Sequence, residues 1–197
     1  MEHNLPIYKA VFNEDEDKMI AISFVDFPAI EVDWMAFAKQ EKPLQFSVED
    51  EEKHIVFGCI MRADYPIYRI GPSGYEYNIV FDKDTIRKMV QQYLNDGFQN
   101  VTDTNHNHRI SDGVYMQEIF IKDTENGINP KGFEGIEDGS LFAKFKVENE
   151  SLWKEIKEGT FKGFSSEVFC DIEEQDPEEQ EYQECVELIN KIKNKLK

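Results

Sequence analysis

Basic residues are scarce in this 197-residue chain. Its 22 Lys and Arg stand against 40 Asp and Glu, which leaves a net charge of −18 and a pI near 4.6. A surface of that sign cannot displace counterions from nucleic acid or settle on an anionic membrane, so neither is expected as a partner. Cysteine is scarce too. Cys59, Cys170 and Cys185 are odd in number and widely spaced, with no Cys-x-x-Cys pair, so the sequence predicts free thiols in a reducing compartment and no zinc or redox centre. Two further absences bear on location: the Met1–Pro6 stretch has no basic region leading into an apolar run, and no window approaches the ~18 apolar residues of a membrane span. Secretion and membrane insertion are therefore not expected. There is also no internal repeat.

What the chain does have is apolar and aromatic. It is 40% hydrophobic with 15 Phe and 8 Tyr, enough to bury a core in one domain with an appendage. Ile7–Phe12 and Met19–Phe24 read as strands around the charged turn Asn13–Asp17, which predicts an opening hairpin. Short apolar segments follow at 34–38 and 44–48, and His54–Met61 is an almost continuous apolar run, as expected of a buried strand. Tyr75–Phe81 alternates as a strand. Behind it, Ile86, Met89, Val90, Tyr93 and Leu94 recur at helical spacing, with Asp82 or Asp84 as cap and Gly97 as stop. Val114–Ile121 and Leu141–Val147 read as strands flanking a loop, 123–139, long enough to be mobile. Ser151–Lys157 reads as a short helix, and an aromatic strand spans Thr160–Phe169. From Asp171 to Glu184 there are eight acidic residues and no basic one. That composition predicts three parts: a domain over 1–170, an acidic linker over 171–184, and an amphipathic helix over 185–197.

Two stretches carry possible chemistry. Gly163-Phe164-Ser165-Ser166-Glu167 sets a hydroxyl beside a glycine in an apolar strand, and Asn105-His106-Asn107-His108 is the one crowded histidine site. Serine attacks a carbonyl only when a base takes its proton, and histidine suits that role because its ordinary pKa of about 6.5 lies near neutrality. If Val101–Ile110 is extended, His106 and His108 share a face with Thr104. Alternation likewise puts Ser165 and Glu167 on one face and Ser166 on the other. A third group must hold the imidazole, and His108, Glu167, Asp103 and Glu118 are all candidates. A second reading takes His106 and His108 as metal ligands with Asp103 or a remote carboxylate.

Several of these stretches resemble the prohead serine proteases of tailed phages, in particular their XkdF-like branch, whose fold is related to the herpesvirus assemblins. Phe24–Glu31 resembles a strand leading into a Pro-Ala pair. Val56–Arg69 resembles the family's Gly-containing strand with its following Asp and Ile-Tyr-Arg element. Asn105-His106-Asn107 before Gly113 resembles its histidine motif, Gly113–Glu118 its next strand, and Lys162–Glu167 its Gly-Phe-Ser-x-Glu motif. Ser166 departs from the aliphatic residue usual after the serine, and Val168 from the branch's Gly.

The resemblance implies an α+β fold, a mostly antiparallel β-barrel-like core with a few packed helices. It implies acyl transfer with Ser165 as nucleophile and His106 as base, with His108 and Glu167 beside them and no cofactor or metal. It also implies a place inside the assembling prohead in the host cytoplasm, with scaffold and major capsid proteins as substrates, self-cleavage and self-association. The alternative on the same fold is a non-catalytic scaffold or minor virion protein. A metal-dependent enzyme at His106 and His108 is the weaker one.

Overall fold

Eleven strands form among the described residues of the computed structural model, which are 5–26, 28, 47–71 and 73–175. The segment expected at 34–38, the start of the one at 44–48, most of the acidic linker and the helix at 185–197 lie outside them. The strands form three sheets. The first runs β11 (Asp171–Glu174), β1 (Ile7–Val11), β6 (Glu76–Val80), β5 (Ile67–Ile70). In the second, β2 (Lys18–Val25) lies between β10 (Gly163–Phe169) and β7 (Thr102–Thr104). The third is ordered β3 (Ser47–Asp50), β4 (Ile55–Met61), β9 (Leu141–Val147), β8 (Val114–Ile121).

Among the described residues this is a mixed, strand-rich fold with two α-helices, but the strand order does not close into the expected barrel-like core. Nor do β1 and β2 form a hairpin. β1 pairs with β6 and β11, and β2 with β7 and β10, and the β1–β6 and β2–β7 pairs are parallel. Alternation specifies a strand's faces and leaves its edge partners open, which is why both topological expectations fail. The first four residues of the expected acidic linker are also strand: β11 pairs antiparallel with β1.

The core lies where the sheets and helix α1 (Lys83–Asn95) meet. Phe24, Phe145 and Phe164 pack their rings edge-on or tilted, with centroids 5.1 to 5.7 Å apart. The α1 residues Ile86, Met89, Val90 and Tyr93 are buried as the helical spacing predicts, whereas Leu94 is left exposed. Asp82 caps the helix by accepting the Thr85 N–H at 2.7 Å. Helix α2 (Glu150–Lys157) buries Leu152, Trp153 and Ile156 behind its Asn149 cap. The turn before β8 requires glycine. Gly113 has φ +73°, and a Cβ there would come within 3.1 Å of the Asn149 nitrogen.

The 123–139 loop is anchored, contrary to expectation. Lys122, 2% exposed, donates from Nζ to the carbonyls of Phe133, Glu134 and Ile136 at 3.1, 3.0 and 2.5 Å. Phe133 and Ile136 are buried against Phe57, Cys59 and Phe142. Arg62 grips Glu137 with two bonds of 2.9 and 2.6 Å.

Candidate functional site

The site is built on the second sheet. β10 and β2 run antiparallel with Ser165 directly opposite Ser23, and β2 and β7 run parallel with Ser23 beside Asp103. Register partners project to the same face of a sheet, so Ser165, Ser23 and Asp103 form a polar row across three strands. Ser166 is opposite Ile22 and shares the other face with Phe164, opposite Phe24. That face is the core side, so the expected division between Ser165 and Ser166 holds. Glu167, opposite Ala21, stays on the Ser165 face.

The histidines reach this row by a route that alternation does not describe. Only Thr102–Thr104 is strand, and Asn105, His106 and His108 then take left-handed conformations at φ 49°, 52° and 58°. The single extended face expected for Val101–Ile110 is therefore absent. Left-handed non-glycine residues cost about 1–2 kcal/mol each, so other contacts must hold the turn. Those contacts are short-range and polar. Phe24 O accepts the Asn105 N–H at 2.9 Å, and Asn105 Oδ1 accepts the Asp26 N–H at 3.1 Å. Asn107 donates to Thr104 Oγ1 at 2.9 Å and accepts the Arg109 N–H at 2.8 Å. Asp103 Oδ2 accepts the His108 N–H at 2.7 Å, and the Ser111 N–H returns to Thr102 O at 2.7 Å.

The turn lays both rings over the polar row. His106, half-buried, has Nδ1 3.1 Å from Ser23 Oγ. The more exposed His108 has Nδ1 3.5 Å from Glu167 Oε2, close enough to pair when protonated but not hydrogen-bonded. Two buried carboxylate oxygens, Asp103 Oδ1 and Glu167 Oε2, have no hydrogen-bond partner among the described residues. The Ser165 hydroxyl, half-buried, has none there either. Behind β10 lies a cleft of about 300 Å³ whose walls include Ser165, Ser166, Val168, Arg69 and Tyr77.

Competing groups are placed elsewhere or disqualified. Burial pushes the Cys170 thiol, which also borders the cleft, up to about 11, and that of Cys59 up to about 12, so neither supplies a thiolate near neutrality. His54 stacks on Trp153 with centroids 4.5 Å apart. Glu118, a sequence candidate for orienting the base, pairs with Lys144 at 3.3 Å in the third sheet. Among the described residues no three His, Cys, Asp or Glu side chains are grouped to hold a metal ion. The residue that sequence reasoning missed is Ser23. Its signal was available: one serine inside the apolar run Met19–Val25, 0% exposed in the fold.

A family model described as "Putative phage serine protease XkdF" matches residues 44–174. The matched stretch takes in the histidine turn and β10 but begins beyond β2, so Ser23 and the Phe24–Glu31 segment lie outside it. No curated protein and no solved structure matches the chain.

Proposed function

Because the chain belongs to the family of the phage serine protease XkdF, we propose that it is a serine endopeptidase with Ser165 as nucleophile and His106 as general base. The observation that carries this reading is the register of Ser165 opposite Ser23, whose hydroxyl meets the His106 ring. Directly opposed residues have Cβ atoms about 4.5–5.5 Å apart, so the nucleophile stands beside the group that holds the base. Ser23 is fully buried, whereas Ser165 is only half-buried. Accessibility favours Ser165, since a nucleophile must reach its substrate.

In this reaction the Ser165 oxygen bonds to the peptide carbonyl carbon as His106 Nε2 takes its proton. The proton passes to the departing amine when the C–N bond breaks, and water then releases the acyl group by the same steps in reverse. His108, whose Nδ1 lies 3.5 Å from Glu167, supplies a second imidazole on the same face. From the family resemblance the substrates are scaffold and capsid protein segments, cleaved inside the assembling prohead in the host cytoplasm. Self-association and self-cleavage belong to the same reading.

One observation favours the second reading, a non-catalytic assembly protein on this fold: the Ser165 hydroxyl makes no hydrogen bond to either imidazole. Labelling separates the two. The purified full chain should react with a fluorophosphonate at Ser165 and process co-expressed scaffold or capsid protein, and Ser165→Ala should abolish both. Processing that survives in the mutant would sink the protease assignment, and a wild-type chain that neither labels nor processes supports the assembly role.

A further inference from the structure

Beneath His106 lie two buried polar groups that the reaction above leaves unused. Ser23 is 0% and Asp103 3% exposed, and the two are register partners on adjacent strands. Burying such groups is costly unless they are paired. Asp103 Oδ2 takes the His108 N–H, but Oδ1 has no partner among the described residues. Ser23 Oγ has the His106 Nδ1 at 3.1 Å.

We propose that Ser23 is the positioning residue of this site: it fixes the tautomer of His106 and couples the imidazole to the buried Asp103 carboxylate. The inference rests on His106 being the base. A neutral imidazole has one N–H and one lone pair. If Ser23 accepts the Nδ1–H, the lone pair sits on Nε2, where a base needs it. If Ser23 donates instead, Nε2 carries the proton and the base is disabled. Asp103, the register partner of Ser23, biases this choice electrostatically: its Oδ1 makes no hydrogen bond to the hydroxyl, but a carboxylate on the adjacent strand favours the orientation in which the hydroxyl proton turns away from the ring. When Nε2 then takes the Ser165 proton, no bond at Nδ1 is broken. The new positive charge faces a hydroxyl polarised by a carboxylate. The other titratable groups on this face are His108 from the same turn and Glu167 from β10.

The test uses the full chain and the rate of fluorophosphonate labelling measured across pH, with thermal unfolding as a check on folding. Ser23→Ala is expected to slow labelling by roughly 10- to 100-fold, the range for a hydrogen bond to a charged group. Losing support for the imidazolium should also move the acid-side midpoint of the pH profile to lower pH. Ser23→Thr, which keeps the hydroxyl, should restore most of the rate and the midpoint. Asp103→Asn should shift the midpoint in the same direction and gives an independent arm if the buried threonine does not fit. Wild-type rate and midpoint in Ser23→Ala, or an unmoved midpoint in Asp103→Asn, would overturn the proposal. Labelling that persists in Ser165→Ala overturns the parent reading instead, so the two failures are distinguishable.

Discussion

Two irregular segments of this molecule are held by opposite means. The turn over Asn105–Arg109 is short, strained and tied down by side chains of its own residues and their immediate neighbours, which leaves two imidazoles facing a polar row. The 123–139 loop is long and unstrained in sequence terms, yet a buried ammonium and a bidentate arginine fasten it to the third sheet. Length alone therefore misjudges both. What differs is where the holding groups point: in the long loop the charged groups are consumed by backbone carbonyls and one carboxylate, whereas in the short turn the Nε2 atoms of both rings have no hydrogen-bond partner among the described residues. One segment is structural, and the other carries the proposed reaction.

Mutations that act on only one segment would sharpen this contrast. His106→Ala, the strongest, should cut fluorophosphonate labelling by roughly 10³-fold or more, as loss of a base does in serine hydrolases. Its urea midpoint should fall only modestly, because the ring is half-buried and the main loss is the partner of the buried Ser23 hydroxyl. Lys122→Met is the converse. Two buried carbonyls and one partly buried one lose a charged donor, and the expected cost is about 3 kcal/mol in urea unfolding with the labelling rate of the folded protein unchanged. A large loss of labelling in folded Lys122→Met would erase the distinction between the segments. The smallest effect is expected at Asp82, outside both. Partial burial raises its carboxyl, but bonds from Lys9 and Thr85 outweigh this and hold it below the ordinary 3.8. A depressed carboxylate contributes stability that is complete above its unfolded pKa and is lost as pH falls through the folded value. Asp82→Asn keeps a competent cap. It should therefore lose about 0.5 kcal/mol near neutrality and flatten the unfolding curve below pH 4, with labelling unaffected.

The elements were more legible than their arrangement. β10 could be read because Phe164 and Ser165 alternate cleanly, and α1 because its apolar residues recur at helical spacing and Asp82 can cap it. Leu94 escaped burial because it sits at the helix end, beyond the reach of the core. The polar row was not legible, since Ser165, Ser23 and Asp103 come from strands far apart in sequence and no local pattern says which strands lie side by side. The histidine turn was misread for a different reason. Left-handed backbone at His106 and His108 is held by hydrogen bonds that the Asn105 and Asp103 side chains accept and the Asn107 side chain donates, a cause that a side-chain alternation rule does not contain.

The pairing of β2 with β10 contains an irregularity with a consequence of its own. Glu167 is opposite Ala21 but Val168 is opposite Met19, so β2 carries one extra residue, Ile20, at that point. In an unbroken ladder Met19 would keep the phase of Ala21 and Ser23 and project beside the carboxylate of Glu167. The extra residue turns Met19 into the interior instead, where it is 0% exposed. A single strand thereby changes allegiance midway along its length: upstream of Ile20 its odd-numbered side chain seals the hydrophobic interior, and downstream the odd-numbered side chains floor a polar basin. Removing that one residue would make the ladder regular and leave Met19 opposite Val168 on the interior face, so what the extra residue supplies is the local bend of the strand.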